Sequence, residues 1–153
     1  MFSVNATLLL CDAAVIADSK LFVLGGGWSL IGPGPAPMAI AIKVDVDFDV
    51  VSEEHHWELF LEETNGEAVI LETPDGPRPV EVRGDFRVAV PEGNPVEAAT
   101  PINMAINLGP LPLPPGKSYM WRMTINGQSD SNWSAFFATR PMPEFPLNGM
   151  SFQ

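Results

Sequence analysis

Residues 40–50 read IAIKVDVDFDV, and this stretch decides the fold class. Every second position is apolar, whereas the positions between hold Ala41, Lys43 and three aspartates. A β-strand sends alternate side chains to opposite faces, while a helix would scatter the same residues around its circumference. The pattern therefore predicts a long strand over residues 40–50, with one face on a core and the other in water. The predicted buried face comprises Ile40, Ile42, Val44, Val46, Phe48 and Val50.

Similar short apolar runs recur along most of the chain, separated by turn residues such as Asp18-Ser19, Asn65-Gly66 and Asn126-Gly127. Gly84 interrupts one run and predicts a bulge. The Pro-rich residues 73–79 predict a loop. About 8–10 strands at this spacing predict an all-β chain, specifically an antiparallel β-sandwich, because the large apolar side chains would crowd a small closed barrel. The predicted strands cover residues 7–11, 14–16, 21–24, 40–50, 57–61, 68–71, 80–90, 102–108, 118–125 and 133–139.

The chain has 153 residues, which corresponds to one domain. Its 16 prolines and 13 glycines disfavour long helices. Three of the prolines fall in residues 140–153, where no alternation is visible. We therefore predict a β-sandwich domain over residues 1–139 and an extended C-terminal tail over residues 140–153.

The charge balance is 8 Lys and Arg against 19 Asp and Glu, a formal net charge of −11. Nucleic-acid and anionic-membrane binding both depend on clustered basic residues, so we expect neither. The charge is compatible with a protein partner, such as a larger assembly, and it leaves open self-association into a homo-oligomer. The single cysteine, Cys11, indicates no disulfide, and no basic leader or long apolar stretch is present. We expect a cytoplasmic protein, with the virion as the alternative location.

Three motifs superficially suggest chemistry. Asp45, Asp47 and Asp49 have calcium-loop spacing but lack the required glycine and glutamate, so a solvated strand face is expected. The adjacent His55 and His56 point to opposite faces of a strand, so they cannot easily share one metal, and a surface strand edge is expected. Residues 25–27 are a glycine run before Trp28 without the lysine of a P-loop, so we expect a sharp turn. We predict no catalytic, cofactor-binding or metal-binding residue.

Most of the 4 tryptophans and 9 phenylalanines lie on apolar strand faces and are expected in the core. The tail differs, since its apolar residues have no periodicity that assigns them to the domain. Such an arm either lies on its own domain or docks on a neighbour, and the sequence leaves both open. The candidate partner-binding residues are Met142, Phe145, Leu147, Met150 and Phe152.

Three segments carry a resemblance to a known family. Residues 9–14 read LLCDAA and residues 20–28 read KLFVLGGGW, while residues 107–116 read NLGPLPLPPG before Tyr119, Trp121 and Arg122. The pattern resembles an uncharacterised family of small β-domain proteins from actinobacteria and their phages, although Ser19 stands where a glycine is usual. The resemblance spans most of the chain except the tail. It implies one compact β domain and no assigned activity, so it contributes no site residues.

These observations favour a non-catalytic structural or interaction protein. The most concrete form is an accessory subunit of a larger assembly, such as a phage capsid decoration protein or a tail subunit. A first alternative is a small-molecule or carbohydrate-binding module of a bacterial host, using Trp28 or residues 133–134. A second alternative is a hydrolase of unknown type, which would need carboxylates that converge in a cleft.

Overall fold

The computed structural model of the chain describes residues 3–90, 92–93 and 99–144. These residues form strands, turns and loops, apart from a single 3-10 turn at Phe48–Val50. The strands are β1 (Val4–Ala17), β2 (Lys20–Gly26), β3 (Leu30–Ile31), β4 (Ala39–Val46), β5 (His55–Glu63), β6 (Ile70–Thr73), β7 (Gly76–Pro79), β8 (Glu81–Phe86), β9 (Thr100–Asn107), β10 (Ser118–Ile125) and β11 (Ser134–Thr139).

The strands form two main sheets that pack face to face. The first sheet has the order β2-β1-β4-β9, and the second has the order β3-β11-β10-β5-β8. Strands β6 and β7 form a separate hairpin. Neighbouring strands are antiparallel except for β3, which runs parallel to β11. The prediction of an all-β, antiparallel sandwich is confirmed.

The core fills the space between the two sheets. Alternate residues of β4 face inward, and the four from Ile40 to Val46 are fully buried. They belong to one apolar cluster with the inward residues of β5 and β10, among which Trp121 and Leu59 have no exposed surface. The period-2 alternation therefore arises, as predicted, because one face of each strand is buried against the other sheet.

The strand predicted over residues 40–50 is wrong beyond Val46. Both neighbours of β4 end at that residue, since Val4 and Thr100 are its partners in the two ladders. Without a partner strand the chain turns, and the backbone N–H of Asp47 donates a hydrogen bond to the carbonyl of Ser3 at 2.8 Å. Phe48 then lies in the 3-10 turn with 50% of its surface exposed, outside the predicted buried face.

Two smaller predictions are also corrected. Residues 73–79 are not simply a loop, because Thr73 pairs with Gly76 at the end of the β6–β7 hairpin. Gly84 does not mark a bulge, since the β5–β8 register runs unbroken through it. A Cβ atom at Gly84 would lie 2.9 Å from Cζ2 of Trp57, so the glycine is explained by the close approach of the indole ring.

The β1–β2 hairpin is the feature that departs from a simple sandwich. The first half of β1 pairs with β4, but beyond Cys11 the strand pairs with β2. The hairpin packs on the outer face of the first sheet, where it forms a second apolar cluster. The sheet contributes small side chains, so the hairpin backbone can approach closely. This cluster contains Cys11, Ala14, Leu21, Val23, Ala39, Ala41 and Ala105.

Candidate docking surface on the first hairpin

A two-residue turn joins β1 to β2. Asp18 and Ser19 both have positive φ values, 53° and 58°, between the paired residues Ala17 and Lys20. Positive φ at both central positions is the geometry that matches the right-handed twist of a hairpin. The tight turn predicted at Asp18-Ser19 is confirmed, and its register places Val15 opposite Phe22.

Two asparagine side chains of β9 hold the hairpin on the sheet. Nδ2 of Asn107 donates to the carbonyl of Ala14 at 2.8 Å, and Oδ1 of Asn107 accepts from the N–H of Ala14 at 3.1 Å. Nearer the turn, Nδ2 of Asn103 donates to the carbonyl of Ser19 at 3.1 Å. The Asn107 amide therefore replaces a strand partner for Ala14, which is almost fully buried.

The glycine run returns the chain from the hairpin to the sandwich. Gly25 and Gly27 have φ values of 60° and 89°, a conformation that side chains with a Cβ rarely adopt. The N–H of Gly27 donates to the carbonyl of Leu10 at 2.8 Å. The side chain of Asp12 contacts Gly25 where a Cβ would otherwise lie. The sharp turn predicted for residues 25–27 is not observed as such, because Gly25 and Gly26 still belong to β2; the glycines are explained by the positive φ at Gly25 and Gly27.

The outward side of the hairpin is apolar and uncovered by any described residue. Val15, Phe22 and Leu24 are 55%, 53% and 66% exposed. Lys20 is the charged residue on this side, and it lies at the turn. A contiguous exposed apolar patch commonly marks an interaction site. We call this surface the hairpin face, and its residues are Ala13, Val15, Ala17, Phe22 and Leu24.

The period-two pattern of the sequence does not reveal this surface. It assigns aromatic residues on strands to the core, and that assignment is wrong for Phe22 and Phe136 as well as for Phe48. The relevant signal is that residues 13–17 and 20–24 are apolar at nearly every position, on both faces of the hairpin. Only one of those faces can pack on the sheet, so the other must be exposed or covered by a partner.

The predicted partner-binding tail falls mostly outside the described residues. Met142 is described and 63% exposed, whereas Phe145, Leu147, Met150 and Phe152 lie outside the described residues. Arg140, one residue beyond the predicted domain, is held by the fold. Its N–H donates to the carbonyl of Ile31 and its Nη1 to the carbonyl of Gly32, both at 2.8 Å.

The tryptophans provide no exposed platform. Trp57, Trp121 and Trp133 are buried. Trp28 is half-buried and meets Phe137 edge-on, with ring centroids 6.0 Å apart. A sugar-binding aromatic needs an open ring face, which none of these four rings offers on the scale of Phe22 or Phe136.

A cleft of about 350 Å³ at one end of the sandwich is lined by polar residues that include Glu53, His55 and Asn126. Both ring nitrogens of His55 are hydrogen-bonded. Nε2–H donates to the carbonyl of Val50 at 2.9 Å, and Nδ1 accepts from Nδ2 of Asn126 at 3.0 Å. His55 therefore has no free nitrogen with which to bind a metal or accept a substrate proton.

The two histidines do face opposite sides of β5, but the expectation of a surface edge is wrong for His55. It is 1% exposed and stacks on Phe86, with ring centroids 5.1 Å apart. His56 is exposed, and its Nδ1 lies 2.8 Å from Oδ1 of Asp85. The burial of His55 follows from its inward position beside Trp57 on β5.

Several of the described acidic residues form ion pairs, and three of them, Glu63, Glu67 and Glu72, line a cleft of about 650 Å³ together with Lys117. Arg122 makes a bidentate pair with Glu62 on the second sheet at 3.0 and 2.9 Å. The hydrogen bonds that Arg122 donates to Glu62 raise the pKa of Arg122. Asp45 pairs with Lys43, while Asp47 has left the strand, so the three predicted carboxylates do not share a strand face. Within the described ranges, no group of three or more His, Cys, Asp or Glu side chains could hold a metal ion.

The described part of the chain also contains no helix with the length and apolar character needed to cross a membrane. No curated protein and no solved structure matches the chain. A family model does match residues 6–134. This range covers β1 from Ala6, all of β2 to β10 and the first residue of β11. The family carries the description "family of unknown function". The uncharacterised family expected from the sequence is thus confirmed in that form, whereas its residue pattern and the source of its members stay predictions. The chain belongs to the family of unknown function DUF6941.

Proposed function

We propose that this protein is a non-catalytic interaction subunit that attaches to a larger assembly through the hairpin face. The observation that carries the proposal is the exposure of Val15, Phe22 and Leu24 on one side of a hairpin that is fixed to the sheet by Asn107. The assembly we propose is a phage capsid, with the chain as a decoration protein, or a phage tail. An acidic chain resists nonspecific association, so an apolar patch on it directs contact to one place.

The size of the hairpin face supports attachment to a repeating structure. Its three large side chains are each about half exposed, which leaves roughly 100 Å² apiece available for burial. Burial of about 300 Å² contributes roughly 7 kcal/mol before the cost of association. That cost is about 4–15 kcal/mol, so a single contact of this kind binds weakly. Many copies on one particle, or a second contact from the tail, would raise the avidity.

Two observations weigh against the alternatives. The carbohydrate-binding alternative relied on Trp28 or residues 133–134, but Trp133 is buried and Trp28 packs edge-on against Phe137. A hydrolase would need a free base or a pair of converging carboxylates in a cleft. In the cleft at Glu53, His55 is fully hydrogen-bonded. In the larger cleft lined by Glu63, Glu67 and Glu72, Glu63 is paired with Lys117 at 2.9 Å and the lining residues include no histidine.

The test is sedimentation of the tagged chain from the cells or phage that encode it. We expect the wild-type chain to travel with a large particle, and Val15→Glu to travel as a free small protein. Phe136→Glu is the matched control, because Phe136 is equally exposed but lies on the second sheet. A wild-type chain found only in the free fraction, or a Val15→Glu variant that remains on the particle, would refute the proposal.

A further inference from the structure

Sheet edges are sites where a second chain can add a strand, and proteins usually protect them. In the part of the chain that the structure describes, three outer edges carry such protection. Strand β3 is only two residues long, β8 alternates charged side chains such as Arg83, and β9 contains Pro101. The first half of β1 lies near β11, and Trp133, the residue before β11, donates from Nε1 to Oδ1 of Asn5 on β1 at 3.0 Å.

Strand β2 is the exception. It has seven residues, contains no proline and carries Lys20 as its single charge. It lies at the end of its sheet, and no described strand pairs with its outer side. It also contributes Phe22 and Leu24 to the hairpin face. A strand of this length, whose single charge lies at its turn end, leaves residues 21–24 unprotected and is suited to pair with another strand.

The backbone of β2 presents hydrogen-bonding groups to solvent. In a two-residue hairpin the residues that flank the turn bond to each other, and the bonded pairs then alternate. Ala14 follows this rule, because its N–H and C=O point away from β2 and bond to Asn107. Its cross-strand partner Val23 must point the other way, as must Leu21. Both residues therefore direct an N–H and a C=O to the free edge.

We propose that β2 pairs with β2 of a second copy of this chain, antiparallel and about a two-fold axis at Phe22. Leu21 of each copy then bonds to Val23 of the other, which gives about four backbone hydrogen bonds. The Phe22 side chains of the two copies lie directly opposite each other at a non-hydrogen-bonded position. Aromatic pairs at such positions stabilise sheets. The interface is isologous, as expected for a homodimer.

The charges fit this pairing. Two copies with a net charge of −11 each repel one another over most of their surfaces, but β2 itself carries no carboxylate. The antiparallel register sets Lys20 of one copy opposite the apolar Leu24 of the other, so the two ammonium groups lie at opposite ends of the interface. A parallel pairing would instead set the two Lys20 side chains beside each other, and this repulsion favours the antiparallel arrangement.

The pairing is independent of the proposed attachment to a particle, although it would join two hairpin faces into one. A strand-edge contact of this length is smaller than the roughly 1,200 Å² typical of stable complexes. We therefore expect a concentration-dependent dimer in rapid exchange with monomer.

The first test is sedimentation equilibrium of the purified full chain over a range of concentrations. We expect a reversible dimer for the wild type and at least a tenfold weaker one for Phe22→Asp and for Phe22→Lys alone, because like charges then face each other across the axis. An equal mixture of the two variants should dimerise again. Phe136→Asp, at a comparably exposed position on the second sheet, should dimerise like the wild type.

The second test fixes the register by cross-linking. Mild oxidation of Phe22→Cys should give a disulfide-linked dimer, whereas Leu24→Cys should not, because its two copies lie several residues apart. The native Cys11 is fully buried and does not compete. A wild type that is monomeric at its highest soluble concentration, or a dimer insensitive to both charged variants, would overturn the pairing. Neither result bears on the particle, which Val15→Glu tests separately.

Discussion

Substitution of Asn107 by alanine is expected to loosen the hairpin more than the same substitution at Asn103. The wild-type amide makes two hydrogen bonds with Ala14, at 2.8 and 3.1 Å, in a part-buried setting. Ala14 is 2% exposed, so its N–H and C=O would lose their partners without full access to water. An unsatisfied buried group costs about 1–3 kcal/mol, and partial relaxation of the hairpin lowers the sum, so we expect a loss of about 2–3 kcal/mol.

Urea unfolding followed by intrinsic tryptophan fluorescence measures this loss. For a domain of this size, 1 kcal/mol shifts Tm by about 2–4 °C, so thermal unfolding should move by roughly 4–12 °C. Hydrogen exchange should accelerate more in β2 than in β10, because the hairpin opens locally as well as in global unfolding. The matched control is Asn103→Ala, which removes one exposed hydrogen bond to Ser19 and should cost less than about 1 kcal/mol. Equal effects of the two variants would refute the role given to Asn107.

Three further predictions concern other parts of the fold. Gly84→Ala should lower the free energy of unfolding in urea by about 1–3 kcal/mol, because the new Cβ would lie 2.9 Å from the buried Trp57 ring. An unchanged free energy of unfolding would show that the ring moves aside freely. Burial raises the pKa of the Cys11 thiol, so Cys11 should resist thiol reagents until the chain unfolds. For the same reason, the free energy of unfolding should fall as the pH rises above 9.0, the thiol's ordinary pKa. Rapid labelling of Cys11 in the folded chain would contradict its burial. Truncation after Glu144 keeps the hydrogen bonds of Arg140, so Tm should be unchanged. The same truncation should weaken attachment to the proposed particle. Full attachment of the truncated chain would show that the tail does not contribute to binding.

The sequence predicts the sandwich well because burial of one strand face leaves a period of two. That signal is local, and it correctly identifies the inward face of β4 from Ile40 to Val46. It fails at Phe48 because the end of a strand depends on where its neighbours end. Val4 and Thr100 set that limit, and their pairing with Val46 is not encoded in the alternation of residues 40–50.

The docking surface is harder to predict from sequence, for a physical reason. The hairpin is apolar on both sides, so its pattern does not tell which side packs on the sheet. The answer depends on Asn107, which lies 93 residues from Ala14 in the chain. The turn residues Asp18 and Ser19 are local and were predictable, whereas the position of the hairpin on the alanine-rich outer face is a property of the whole fold.

Small side chains lie beneath the hairpin, whereas larger apolar side chains face outward from it. These two sets of positions are expected to tolerate different substitutions. Ala39, Ala41 and Ala105 set the spacing between two layers of backbone, so any larger residue there would lift the hairpin. Val15 and Phe22 face outward and touch nothing that the fold requires, so they are free to diverge. In other members of the family, we expect residue size at the first three positions to be restricted and residue chemistry at the outward positions to follow the partner.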